Sequence, residues 1–516
     1  MNTTIFIYAD FFEKEVFTHV LNWAEKVPGL SRIIVATTKN RNLSSGIITE
    51  VTKEKWFVKD VLALAAENCV GDGNAVFAFS DCPFYDEALT KDLLKMHEEY
   101  AAEYTFADGY PFGFVPEVLA YGTVRILKAL AEAEKEAEKE ADAADSKAVE
   151  KPFNRESIFS LIKSDINSFE VETLLSPEDF RLYRLDFSVS TKRGKLCCEK
   201  LESIKKASDE NLSVLELCKK AVADPEIFHT VPAFYNIQIA AESAGKCIYT
   251  PYPFHFHSEN KEVSYKNMKF SDYSVLLKKI ADFSGEAVIS FSLWGEALLH
   301  PEFNSFIEET LKYPGISVLI ETSGIGITED LCRKWQALAE NAAPRLNPYP
   351  ALMWIVELDA VTQETYSAIH PDSTVSLEEA SAAEGLLRKY FPNSVWAQFI
   401  RINQNENELE EFFLSHDNRL IQKYDDFAGI LPPFKPTDLS PAVRNPCWHL
   451  MRDFCILADG SVPLCREYLN QTIIGNVFSD EIEEIWKKSL PCLSDHLKGE
   501  YCGKCKACDE YYTFNF

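Results

Sequence analysis

Short continuous apolar runs recur early in the chain, at residues 5–8 (Ile5-Phe6-Ile7-Tyr8), 33–36 and 76–79, separated by stretches with helical spacing. Unbroken runs of this length suit strands covered on both faces, so residues 1–222 are expected to fold as a Rossmann-like α/β sheet. The alternation resumes at residue 230. Residues 232–239, 289–293, 318–322 and 355–360 read as strands, each followed by a helix-like segment. Repeated βα units predict a partial (β/α) barrel over residues 230–435. Within the first region, residues 131–152 interleave Ala, Glu and Lys without an apolar stripe. That run reads as a solvated helix or a flexible insertion inside the first domain.

Residues 440–516 carry a third pattern. Asp459-Gly460 sits between the apolar runs 454–458 and 462–464, a two-residue hairpin signal. In an ideal ladder of that register Cys455 and Cys465 point to opposite faces, because side chains alternate along a strand. Cys455 then reads as a core thiol, and Cys447, upstream of the hairpin, as the partner of Cys465. The chain closes with Cys502-Gly503-Lys504-Cys505-Lys506-Ala507-Cys508. A C-x2-C-x2-C spacing lets one tight turn offer several sulfurs to one centre, as a tetrahedral metal or an iron–sulfur cluster requires. The expected ligand set is Cys447 and Cys465 with Cys505 and Cys508, and Cys502 could replace either of the last two.

Composition narrows the functional classes. At 516 residues the chain has room for two or three domains with full cores. Its net charge of −28 argues against a nucleic-acid or anionic-membrane partner, since both want a basic face. No apolar run reaches the roughly 20 residues that span a bilayer. The first residues lack the basic flank and long apolar stretch of a signal peptide, so a reducing cytoplasm is the expected location of the 14 cysteines.

Several motifs resemble known families. Ser80-Asp81-Cys82-Pro83, with Tyr104-Thr105 and the later segment 110–118, resembles the nucleotide-diphospho-sugar transferase fold, in particular cytidylyltransferases, over about residues 1–222. The Gly- and Arg-rich triphosphate loop of those enzymes is replaced here by Ala9-Asp10-Phe11-Phe12-Glu13. Residues 184–191 stand in for the family's closing strand, with Ser190 in place of the second metal carboxylate. An inactive or re-purposed copy is expected, because an acidic loop repels a pyrophosphate rather than cradling it.

Residues 230–435 resemble the radical-SAM superfamily: a loop after the first strand, Gly295-Glu296 after the second, Thr322-Ser323-Gly324 after the third, and Leu358-Asp359-Ala360 after the fourth. The tail resembles a SPASM domain through Cys447, Asp459-Gly460, Cys465, Ile474-Gly475-Asn476 and the terminal C-x2-C. The whole layout is similar to the spiro-SPASM protein family. The resemblance implies one auxiliary [4Fe–4S] cluster in the tail and S-adenosyl-L-methionine (SAM) as a candidate second cofactor, with Gly295 and Glu296 as its contacts. The superfamily's C-x3-C-x2-C frame, however, falls on Ser243, Cys247 and Thr250, which leaves Cys247 as the one residual thiol. Hydroxyls titrate far above a cysteine's value of about 8.5 and ligate iron poorly. His255 and His257 lie nearby but out of frame, and read as satisfied or surface histidines. Ala297 and Ser323 replace the usual proline and asparagine, and Asp359 is open between a barrel-mouth site and a capped turn.

Three functions follow as expectations. The first is an iron–sulfur protein with one auxiliary cluster and no or altered radical-SAM catalysis, working as a scaffold or with a redox partner protein. The second is an active radical-SAM enzyme acting on a peptide or a nucleotide-linked sugar. The third is a zinc-binding interaction protein, since four thiolates also suit Zn²⁺.

Overall fold

A computed structural model describes residues 2–69, 71–141, 152–208, 212–256, 266–437 and 440–512, with the helix through residue 141 described by its backbone alone from residue 134. The chain divides into two compact units, Met1–Phe228 and His229–Phe516. The second unit holds both the core and the tail that the sequence suggests as separate domains.

The first unit is built on a seven-stranded sheet. Its strands are β1 (Asn2–Ala9), β2 (Leu30–Thr37), β3 (Ile48–Thr52), β4 (Gly73–Phe79), β5 (Tyr104–Asp108), β6 (Glu117–Ala120) and β7 (Val171–Leu175), in the order β3-β2-β1-β4-β6-β5-β7. The three apolar runs expected as strands are β1, β2 and β4, and they pair in parallel. Only β6 runs against its neighbours. Both faces are apolar: Ile5, Ile7, Ile33 and Val76 lie in one core cluster, and Phe6, Ile34, Ala75 and Phe77 in another. Burial on both faces is why these strands are written without polar alternation. The segment expected as a closing strand is not one. Arg184 has φ +47°, and residues 184–191 make a single bridge, between Asp186 and Phe112. The charged run is helical in the segment Tyr121–Ala141; its remainder, residues 142–151, lies outside the described residues.

The main sheet of the second unit has seven strands, all parallel: β8 (Phe234–Ile237), β9 (Ala287–Ser290), β10 (Ile316–Thr322), β11 (Leu352–Glu357), β12 (Val395–Arg401), β13 (Arg419–Lys423) and β14 (Asp453–Ile456). Their order is β13-β12-β11-β10-β9-β8-β14, open at both edges among the described residues. Helices at Phe270–Ser284, Phe303–Thr310, Glu329–Glu340 and Leu377–Tyr390 cover one face, packing Leu277, Phe306, Trp335 and Leu387 on Ile289, Val318, Trp354 and Ala397. Side chains cap several of these helices, including Thr328 to Leu331 N and the reciprocal Ser376–Glu379 box. The opposite face carries a smaller apolar layer of Phe234, Val288, Leu319, Met353 and Ile355.

The tail departs from the hairpin expectation. Gly460 does make the turn, at φ +83°, and Leu457 N donates to Ser461 O at 2.8 Å. The ladder stops there. β14 pairs in parallel with β8, Cys455 beside Asn236, while β15 (Ser461–Pro463) pairs with β16 (Ile473–Asn476). The open edge of β8 offers four residues' worth of ladder, and it captures the strand that local pattern assigns to a hairpin.

Candidate functional site

The tail collects thiols. Cys447 precedes the short helix His449–Arg452, Cys455 lies on β14, and Cys465 follows β15. Cys505 sits in the turn Gly503–Lys506, with Cys508 just beyond it. Cys447, Cys455, Cys465, Cys505 and Cys508 line one cavity together with His496. Cys502 is exposed and is not on that wall. Cys455 and Cys465 therefore face the same cavity, contrary to the opposite-face expectation, because no ladder between β14 and β15 fixes their alternation.

Two further groups join from the helix Leu490–Leu497: the sulfurs of Cys492 and Cys505 and a ring nitrogen of His496 lie within 4.8 Å of one another. Cys492 and His496 were not singled out from sequence. Their i, i+4 spacing, which puts both on one helix face, was the available signal. His496 Nδ1 accepts the Cys447 N–H at 3.3 Å, and Nε2 has no hydrogen-bond partner among the described residues.

Burial sets the thiol chemistry. It pushes Cys447 and Cys455 up to about 12, and burial with the neighbouring Glu467 carboxylate raises Cys465 further. Cys508 is raised by the same two causes. Cys505 is the exception, held low by the hydrogen bond it shares with Cys492, whose own value is raised. Without a cation these are mostly neutral, water-poor thiols. A bound metal inverts that preference, since its charge replaces the lost hydration of the thiolates. Five sulfurs and an imidazole on one wall fit a thiolate-held iron–sulfur cluster, and they fit zinc by the same donor chemistry.

The loop after β8 is different. Ser243 is exposed and donates to Gly245 O at 2.6 Å, while Thr250 Oγ1 accepts from Tyr252 N at 3.4 Å. Cys247 is half-buried, and burial beside Asp359 and Glu357 raises it well above the usual thiol range. Among the described residues no group of three metal-ligating side chains converges here. His255 is exposed, and His257 lies outside the described residues. The loop is tied down by protein contacts: Tyr249 OH donates to Asp359 Oδ2 at 2.7 Å, and Ile248 N donates to Ile369 O. Asp359 is 0% exposed and also accepts from Ile400 N at 2.6 Å and faces His370 Nε2 at 3.3 Å. It anchors a turn.

Glu296 is similarly engaged. Its oxygens accept from Thr322 Oγ1 at 2.9 Å, Ser323 N at 2.9 Å, Ser323 Oγ at 2.8 Å and Leu298 N at 3.3 Å. A carboxylate offers about four lone-pair sites, so these donors fill them. Gly295, at φ +84°, lets this turn lie on the loop backbone. A Cβ there would collide with Ala240 O and stand 2.9 Å from Glu242 O.

In the first unit, Asp81 and Asp186 share the guanidinium of Arg155. Ser190 Oγ lies 3.4 Å from that guanidinium. A side-chain cation thus stands between the two carboxylates Asp81 and Asp186. The guanidinium also covers the Phe112 ring at 4.1 Å.

Comparison with known proteins matches residues 447–509 to SPASM, an iron–sulfur cluster-binding domain. An uncharacterized protein of Treponema pallidum (strain Nichols) is 38% identical over 368 residues, covering 70% of this chain and 98% of the relative. Among solved structures, BtrN in complex with AdoMet and 2-DOIA superimposes with a TM-score of 0.34 at 19% identity, over 54% of this chain and 93% of that one. A cytidylyltransferase from Leptospira borgpetersenii gives 0.32 at 13% identity, over 44% and 95%. The SPASM tail expected from the sequence stands.

Proposed function

This chain belongs to the family of that Treponema pallidum protein and carries a SPASM domain, and from this premise we propose an iron–sulfur protein with one auxiliary [4Fe–4S] cluster and no SAM cluster. The observation that carries the reading is the contrast in thiol number: five cysteines on the tail cavity against Cys247 alone in the loop after β8. Cys447, Cys465, Cys505 and Cys508 would hold the cluster. When bound, such a cluster supplies one-electron chemistry at a potential set by its surroundings.

The chain's own groups have definite roles in this reading. Arg444 donates to Cys505 O and lies 3.9 Å over the Tyr501 ring, which fixes the terminal turn against the segment leading to Cys447. Tyr468 OH lies 3.9 Å from Cys505 Sγ and closes the wall. Glu296 and Asp359 keep the turns of the former SAM site in place through contacts to protein, so Gly295 and Glu296 act in folding. The first unit is read as a re-purposed transferase fold, its carboxylate pair already neutralised by Arg155. A zinc centre is the second reading, favoured by the imidazole of His496 within 4.8 Å of two sulfurs.

Anaerobic purification followed by iron, sulfide and zinc analysis tests this. About four irons and four sulfides per chain are expected. About eight, with reductant-dependent cleavage of SAM, would overturn the loss of the central cluster, and stoichiometric zinc without sulfide would replace the first reading by the second.

A further inference from the structure

His496 stands on the helix Leu490–Leu497, 2% exposed, on the wall of the cavity that the tail thiols line. Its ring is fixed from two sides. The Cys447 N–H donates to Nδ1 at 3.3 Å, and the Tyr501 ring packs edge-on, with centroids 4.8 Å apart and planes at 72°. Tyr501 is in turn covered by the Arg444 guanidinium at 3.9 Å.

The first of these contacts decides the tautomer. A ring nitrogen that accepts an N–H carries no proton, so the neutral imidazole keeps its one proton on Nε2. A charged ring would hold a second proton on Nδ1, directly against the Cys447 N–H. Nε2 is buried and has no hydrogen-bond partner among the described residues. A buried N–H without an acceptor is a cost that folds seldom carry without a use.

Two uses compete. Binding a metal through Nε2 would require that proton to leave while Nδ1 still accepts from the backbone, which strips the ring of both its protons. Donating is the chemistry for which the ring is set. The acceptors within reach are sulfurs, since a ring nitrogen and the sulfurs of Cys492 and Cys505 lie within 4.8 Å of one another. Of the two, Cys505 lines the thiol cavity and Cys492 does not. Tyr468 OH lies 3.9 Å from the Cys505 sulfur, so a second polar hydrogen is available to the same atom.

We propose that His496 is a positioning residue of the tail cluster, donating its Nε2–H to the sulfur of Cys505, and is not itself an iron ligand. This rests on the iron–sulfur reading of the tail. A hydrogen bond to a ligand sulfur disperses negative charge, and the reduced cluster carries more of that charge than the oxidised one. His496 therefore raises the reduction potential.

The test uses full-length protein purified anaerobically, with iron and sulfide counted and the cluster titrated against potential by electron paramagnetic resonance. His496→Leu should keep about four irons and four sulfides per chain. At a fixed potential its ratio of reduced to oxidised cluster should fall about tenfold, which is about 59 mV for one electron. His496→Gln, whose amide can accept from Cys447 and donate to sulfur, should recover most of that ratio. A side chain with a structural role alone would show no such rescue. Pulsed resonance on the unsubstituted protein, labelled with ¹⁵N-histidine, gives a readout that depends on no variant's folding, and a weak coupling transmitted through the hydrogen bond is expected. A coupling of ligand strength or none at all, an unchanged potential in His496→Leu, or loss of iron in both variants overturns this proposal and leaves the cluster in place. Zinc without sulfide in the unsubstituted protein overturns the iron–sulfur reading, and the proposal with it.

Discussion

The tail cavity and the loop after β8 both present cysteine to a cavity, yet different forces hold them. Around the tail cavity the chain spends five cysteines and a histidine, drawn from segments up to 61 positions apart, since 508 less 447 is 61. The loop has a single thiol, and the hydroxyls of Ser243 and Thr250 bond the local backbone. The loop nevertheless keeps its shape. Tyr249, Asp359, Glu296 and Gly295 hold it with ordinary protein contacts, so its geometry no longer requires a metal. Donor number separates a site that needs a metal to be stable from one that has been made stable without it.

The largest effect expected from breaking this comparison is in the tail. Cys465→Ala or Cys508→Ala should lower iron from about four per chain to near none, and cost the tail about 3 kcal/mol or more, read by metal analysis and limited proteolysis. An unchanged iron content in both variants would refute the ligand set.

Next is an acid response that the two units share. Burial lowers His97 in the first unit and His229 in the second from 6.5 to about 4. Folding favours the neutral ring of each, so the stability is fully present above about pH 6.5 and is lost as pH falls from 6.5 toward 4. Each histidine accounts for at most about 3 kcal/mol over that window. His97→Gln should flatten the acid limb of the first unit's urea denaturation and leave that of the second unit as it was.

A smaller effect is expected where protein contacts replaced a ligand. Asp359→Ala leaves Tyr249 OH and Ile400 N–H without their acceptor, and Glu296→Ala strands the donors of Thr322 and Ser323. Each should cost about 1–3 kcal/mol in urea unfolding, with iron unchanged. A loss of iron in Glu296→Ala would mean that the turn after β9 serves a cluster.

The smallest effects sharpen the comparison. Cys247→Ser should change neither iron content nor stability by more than about 1 kcal/mol. Cys455→Ala should also retain iron. Cys455 packs in the cluster of Tyr252, Trp294 and Phe427 as well as on the cavity wall, so a modest loss of stability without loss of metal is the expected signature of a core thiol.

Much of this was legible in residues. The runs at 5–8, 33–36 and 76–79 are continuous because both faces of their sheet are covered, and continuity along the chain records that directly. The terminal C-x2-C-x2-C places its thiols through backbone geometry a few residues long, as does the Gly460 turn. Local spacing failed where distant segments compete. Cys455 was assigned a face from an assumed hairpin, and the free edge of β8, more than 200 positions earlier, took the strand instead. Nothing near Asp81 in sequence announces the arginine 74 positions later whose guanidinium joins it to Asp186.

The sequence by itself determined which thiols exist and that apolar runs alternate with helices in two blocks. Those are properties of spacing and residue type, carried by neighbours in the chain. Only the tertiary structure decided that Cys492 and His496 stand beside Cys505 and that Glu296 and Asp359 are saturated by protein donors. Each of these depends on register between strands or helices far apart in sequence, which a single chain's local pattern does not encode.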